Sequence, residues 1–145
     1  MKVLIDTNVI IDVLQKRDPW YEPASELFLM IANQQLSGCI TAKDAADLYY
    51  FSKKQFRGQE NTDQKARDVM SRLFTLFEVI DTLATDCRNA LGINNNDYED
   101  AIMITSAVRS GIDCIITRNP DHFQASRIKV MSPEEVINAV RKDSR

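Results

Sequence analysis

Apolar residues in this chain fall alternately into short continuous runs and helical stripes. Val3-Leu4-Ile5 is an apolar run closed by Asp6, the pattern of a short strand buried on both faces. A helix is predicted from about Asn8 to Leu14, and a second from about Pro23 to Gln34. Leu27, Phe28, Met30 and Ile31 form one broad face of the second. Ser37 to Ile40 reads as a strand, and Thr41 opens a helix that reaches about Phe56. Another helix covers Thr62 to Leu76, where Val69, Met70, Leu73, Leu76 and Phe77 recur at helical spacing. Phe77 to Ile80 is a candidate strand, Thr85 to Leu91 a short helix, and Asn94-Asn95-Asn96 a loop. Asp97 to Ser110 forms a helix stopped by Gly111. Ile112 to Thr117 and Ile128 to Met131 are the last strands. Ser132-Pro133-Glu134-Glu135 then supplies an N-cap serine, a proline at the first helical position and a glutamate at N3.

Strand–helix alternation of this kind implies an α/β fold, a three-layer α/β/α sandwich around a mostly parallel sheet. No linker or repeat divides the 145 residues, so residues 1–145 are expected to form a single domain. Hydrophobic residues make up 44% and charged residues 27%, which suits an ordinary globular protein. No membrane association is expected, because no run approaches the roughly 18–20 apolar residues of a membrane span. Asp6 also interrupts the first apolar run too early for a secretory leader. Cys39, Cys87 and Cys114 are an odd set without metal-ligand spacing. Free thiols in a reducing compartment, hence the cytoplasm, are the expectation.

Two counts narrow the chemistry. His122 is the single histidine, which excludes a two-histidine acid–base site and a multi-histidine zinc cage within one chain. Any hydrolytic chemistry therefore falls to carboxylates. The net charge of −3 argues against holding RNA by charge alone, so a nucleic-acid role needs local cations or bound metal.

In parallel α/β sheets, ligands bind beyond the carboxyl ends of the strands, and several carboxylates belong there. Asp6 leaves the first strand, where it serves either as a helix cap or as a site residue. Thr41 and Asp44 have the N-cap and N3 spacing of a capping box, a local explanation for Asp44. Asp47 lies one turn further on among Ala45, Ala46, Leu48 and Tyr49, either on a solvated face or beside a cation. Asp97 and Asp100, three apart, can cap their helix or face one site, whereas Glu99 points about 100° away from Asp100. Thr117-Arg118-Asn119-Pro120-Asp121 follows a strand, and its Asn-Pro step is also a turn signal. If these acids cluster, hard oxygen ligands favour Mg²⁺ or Mn²⁺. Two such ions about 3.5–4 Å apart can activate water and stabilise the leaving oxygen in phosphodiester hydrolysis.

Lys2-Val3-Leu4-Ile5-Asp6-Thr7-Asn8 resembles the opening strand and Asp-Thr-Asn signature of PIN domains, VapC-like toxins of toxin–antitoxin pairs among them. Ile40-Thr41 with Asp47 resembles the segment that presents the family's glutamate. Asp97-Tyr98-Glu99-Asp100-Ala101 resembles its third acidic block, and Gly111 through Thr117-Arg118-Asn119-Pro120 its closing strand and turn. The resemblance spans the chain in the family's order. It implies a divalent metal, Mg²⁺ or Mn²⁺, and endonucleolytic cleavage of RNA. Metal-binding and catalytic roles pass to Asp6, Asp47 and Asp100, with Asp97 as a further ligand. Thr7 or Asn8 and Thr117 would support the site. Two departures stand out: Asp47 is shorter than the usual glutamate, and Asn119 stands where many members have aspartate, a role open to Asp121. Lys53, Lys54, Arg57 and Arg118 are the candidate cations for the RNA backbone. A toxin would bring a cognate antitoxin as partner, and a homodimer is also in keeping with the family. The rival readings are a PIN-like domain that binds RNA or a protein without cutting, and a phosphoacceptor receiver domain. The latter is expected to pair acids at the first strand, where this chain has Thr7 and Asn8.

Overall fold

In the computed structural model, which describes residues 1–144, the chain alternates strands and helices as its periodicity predicts. Strand β1 (Lys2–Ile5) is followed by helices α1 (Thr7–Leu14) and α2 (Tyr21–Ala32). Strand β2 (Ser37–Thr41) leads into α3 (Ala42–Gln55) and α4 (Thr62–Leu76). Next come β3 (Glu78–Ile80), α5 (Ala84–Ala90) and α6 (Tyr98–Arg109). Strand β4 (Cys114–Ile116), a 3₁₀ turn (Pro120–Phe123), β5 (Lys129–Met131) and α7 (Pro133–Asp143) complete the order. Helix α2 begins two residues before Pro23, because a proline in the first turn has no intrahelical amide bond to lose.

Among the described residues the sheet has five strands in the order β3-β2-β1-β4-β5, every pair parallel. The chain builds outward from β1 through β2 to β3, then crosses back to place β4 on the other side of β1. The exit of β1 is thus the topological switch point, where the connections diverge and leave a crevice. Side-chain alternation in β1 feeds two cores. Val3 and Ile5 pack with α1, α2, Leu48 of α3, α4 and α7, while Leu4 packs against Met103, Ile104 and Ala107 of α6 and against Phe123. This gives the three layers. Cys39 and Cys114 are buried within the sheet, and all three thiols are free.

Helix α6 is set against α5 by a buried carboxylate. Asp86 is 2% exposed and accepts the Arg109 Nη2 bond at 2.9 Å, the Leu83 amide at 2.8 Å and the Ser106 hydroxyl at 3.3 Å. Burial alone would raise its pKa, but the Arg109 bond and the Leu83 amide bring it below the ordinary carboxylate value. Asp86→Ala should lower unfolding stability in urea by about 2–3 kcal/mol, since it leaves Arg109 and the Leu83 amide without their partner. Asp86→Glu should lose less.

Candidate metal centre

Three helices begin at the carboxyl end of the sheet around one cleft of about 210 Å³, lined by Asp6, Thr7, Asn8, Lys43, Asp44, Asp47, Glu99, Asp100 and Met103. The first turns of α1, α3 and α6 supply most of this lining. Their amide ends direct positive potential into the cleft, which favours carboxylates there.

Asp6 stands at the floor, 8% exposed. It is the N-cap residue of α1 by position, yet its carboxylate makes no cap bond. Instead Oδ2 accepts the Thr117 hydroxyl at 2.8 Å, and Thr117 Oγ1 in turn accepts the Asn119 amide at 3.0 Å. Thr117 is fully buried at the exit of β4, next to β1. The register that pairs Ile5 with Ile116 therefore brings the two strand exits together. Burial raises the Asp6 pKa, and the Thr117 hydroxyl, the nearby dipoles of the Thr7 and Asn8 amides and the charge of His122 offset it only in part.

The structure corrects the reading of Asp44. Thr41 caps α3, accepting the Asp44 amide at 3.1 Å, but the reciprocal half of a capping box does not form. The carboxylate lines the cleft instead, 7% exposed, and Oδ2 is buried with no hydrogen-bond partner. Burial pushes its pKa up to about 6, with Asp6 and Asp47 adding repulsion against the pull of Thr41 and Lys43. Asp47, a turn later, lies at the rim. Its carboxylate is half exposed and paired with Lys43 Nζ at 2.7 Å. In the 14-residue helix the two acids share one side, but Asp47 stands about 60° round and roughly 4.5 Å further along the axis, which takes it from the buried end of the cleft to its rim. The sequence signal for Asp44 was there: an acid three residues past a strand exit.

Asp100 in α6 completes the inner group. Desolvation first, then the charges of Asp6 and Asp97, push its pKa to about 6. Asp97 is exposed and accepts the Asp100 amide at 3.1 Å, so it acts as a cap and does not line the cleft. Asn8 lines the cleft, and Asn119 contributes its backbone amide to Thr117. Asp121 is exposed on the 3₁₀ turn. Its neighbour His122 is the group that faces the site, with Nδ1 3.9 Å from Asp100 Oδ2.

The expected cations lie elsewhere. Lys53, Lys54 and Arg57 surround a separate surface depression near the end of α3, where the two lysines stand nine and ten residues, hence roughly 14–15 Å along the axis, from Asp44. Arg118 is committed to α1: its Nε lies 2.8 Å from Oδ2 of the buried Asp12, and its guanidinium stacks 4.1 Å over the Trp20 ring. The sequence signal for this pair was a lone carboxylate within the run Val9-Ile10-Ile11-Asp12-Val13-Leu14.

Chemically, the centre collects carboxylates that repel one another, carry raised pKa values and leave one buried oxygen unpartnered. A hard divalent cation answers all three conditions. Among the described residues, no three such side chains already stand close enough to enclose an ion, so the carboxylates would have to draw inward around one.

The raised pKa values set the sign of the pH response. Asp44 and Asp100 bind their protons more tightly in the folded chain, so each favours folding below its unfolded value near 4 and disfavours it as pH rises through about 6. In chelator-treated protein, the stability difference between Asp44→Asn and wild type should grow in the variant's favour from pH 4 to pH 7. Melting curves across that range measure it, and a difference independent of pH would contradict the buried-carboxylate geometry.

Comparison with known proteins agrees with this architecture. Residues 2–121 match the PIN-domain family model, while no curated protein matches the chain. Similar solved structures include VapBC2 of Rickettsia felis bound to a promoter DNA fragment, 18% identical with a TM-score of 0.62, covering 91% of this chain and 98% of that one. VapBC of Salmonella typhimurium bound to DNA is 21% identical with a TM-score of 0.63, covering 92% and 98%. FitAcB of Neisseria gonorrhoeae is 18% identical with a TM-score of 0.63, covering 91% and 98%. With a family match over most of its length and the acidic cleft at the β1 exit, this chain belongs to the PIN-domain family.

Proposed function

We propose that the protein is a metal-dependent endoribonuclease whose centre is formed by Asp6, Asp44 and Asp100. The observation that carries this reading is the buried, unpartnered Oδ2 of Asp44 beside two further acids whose pKa values are raised. Burying like charges without a counter-ion is unfavourable, and membership of a family of nucleases supplies the context. Asp6, Asp44 and Asp100 would hold Mg²⁺ or Mn²⁺, which when bound lowers the pKa of water and offsets charge on a phosphodiester. The chain's own residues supply orientation. Thr117 fixes the rotamer of Asp6 through its hydroxyl, and the Asn119 amide fixes Thr117. Asp97 sets the start of α6 and thereby the position of Asp100. His122 at the rim adds a donor on the side of Asp100.

The similar structures described as VapBC and FitAcB support a narrower reading, that this chain is the toxin of a toxin–antitoxin pair acting in the cytoplasm. Among the described residues no helix is long and apolar enough to cross a membrane. Growth arrest on expression, relieved by Asp6→Asn and by a small protein encoded next to it, tests that reading.

Two measurements test the centre. Mn²⁺ at a hundredfold excess over its Kd should raise the wild-type melting temperature by about 5 °C or more, with little shift in Asp6→Asn, Asp44→Asn or Asp100→Asn. The same variants should lose cleavage of single-stranded RNA by on the order of a hundredfold or more. Asp47→Asn should stay within about threefold of wild type, because its carboxylate is spent on Lys43 at the rim. Binding of RNA without cutting in the presence of Mn²⁺ would favour a non-catalytic PIN domain instead.

A further inference from the structure

The acidic cleft contains one lysine. Among the described residues that line it, Lys43 is the only cation, while Lys53, Lys54 and Arg57 lie around another depression and Arg118 is bonded to Asp12. Lys43 stands in the first turn of α3, where the helix dipole disfavours positive charge and helix formation gives no reason for it. Its backbone amide is held by the Thr82 hydroxyl at 3.3 Å, so the side chain starts from a fixed point. The ammonium bridges two helices across the mouth, 2.7 Å from Asp47 of α3 and 3.2 Å from Glu99 of α6.

Those partners are weakly held. The Asp47 side chain is 50% exposed and that of Glu99 70% exposed, so water screens both pairs and releasing either is inexpensive. Lys43 itself is only 29% exposed and sits beside Asp44. An ammonium with three donors at the edge of a metal-binding group of carboxylates is positioned for a phosphate oxygen of a strand crossing that mouth. By engaging Asp47 and Glu99, it also keeps two outer carboxylates away from the inner ones.

We propose that Lys43 is the RNA-phosphate contact of this site, exchanging Asp47 and Glu99 for a backbone phosphate of the bound strand. The proposal rests on the ribonuclease reading and adds to it a residue outside the acidic centre. Lys43 binds the substrate's charge and leaves the ion to the acids. Loss of Lys43 therefore weakens RNA binding, whereas ion binding is unchanged or tighter, because a nearby positive charge has gone and Asp47 and Glu99 are freed. A lysine that merely braced α3 against α6 would produce the opposite for the ion.

The test uses the full chain and two probes, Mn²⁺ alone by calorimetry and a fluorescein-labelled single-stranded RNA 20-mer of mixed sequence by anisotropy in Mn²⁺. Binding is followed across a salt series at early times before cleavage. Lys43→Gln should weaken RNA binding about tenfold and reduce the magnitude of the salt slope by about 0.7, the value for one phosphate contact on a single strand. Its Mn²⁺ affinity should equal or exceed wild type. Lys43→Arg should recover most of the RNA affinity, and Lys142→Gln, in the last turn of α7, should leave the slope unchanged. Should wild type bind or cut the RNA while Lys43→Gln keeps the wild-type slope, or should its Mn²⁺ affinity fall, the proposal is overturned and the nuclease reading survives. A wild type that neither binds nor cuts the oligomer in Mn²⁺ overturns both.

Discussion

Mutual repulsion among buried carboxylates at the carboxyl end of a parallel sheet is the constraint that organises this protein. Asp6, Asp44 and Asp100 come from three separate helix starts; the charge of Asp6 raises the pKa of both Asp44 and Asp100, and that of Asp44 adds to Asp100. Left to local preferences, the three would turn to solvent, because ionised carboxylates lose hydration on burial and gain nothing from each other. The fold prevents that turn. Parallel pairing of β1 with β2 and β4 sets the strand exits side by side, and the converging amide ends of α1, α3 and α6 offset part of the repulsion. The Thr117 hydroxyl takes one Asp6 oxygen and thereby fixes where the other points.

A tension of this kind separates the residues of the cleft into two groups by burial. Asp6 and Asp44 are nearly closed off from water, with Asp100 partly so, and these are the groups whose pKa values rise. Asp47 and Glu99 are open to water and share one cation, Lys43. Asp12 and Asp86 show the other solution to a buried carboxylate, each taking an arginine. Arg118 and Arg109 satisfy them through hydrogen-bonded ion pairs. The contrast within one molecule is informative. Where a buried acid serves packing, an arginine is supplied; in the cleft none is, and the missing positive charge is what a cation would bring.

Much of this was legible in the chain. The apolar run that ends at Asp6, the capping signals at Thr41 and Ser132 and the glycine stop at Gly111 placed the elements and the sheet's carboxyl end, because each is a local cause with a local effect. The placement of Asp6 and Asp100 along the cleft, and of Thr117 against Asp6, follows from their positions at strand exits and a helix start. The choice between Asp44 and Asp47 does not. Both lie on one helix three residues apart, and what decides between them is the phase at which α3 docks on the sheet, a tertiary property. The Thr41-to-Asp44 spacing also offered a complete local explanation, of which only the threonine half forms. The bond of Arg118 is hidden for a related reason: its partner Asp12 lies 106 residues away, and the turn around Arg118 carries no sign of it. Lys43 is as inconspicuous, since a lysine next to an aspartate reads as a solvated helix start, and only the docking of α6 brings Glu99 across from it.

The central claim, that these carboxylates close on one cation, is tested most directly by anomalous diffraction from crystals soaked in Mn²⁺. The account predicts a peak bonded at about 2.1–2.3 Å to oxygens of Asp6, Asp44 and Asp100, with the Asp44 Oδ2 oxygen now engaged. A soaked crystal with no peak in the cleft, or with its peak on Asp47 and Glu99 and the inner acids untouched, would contradict it.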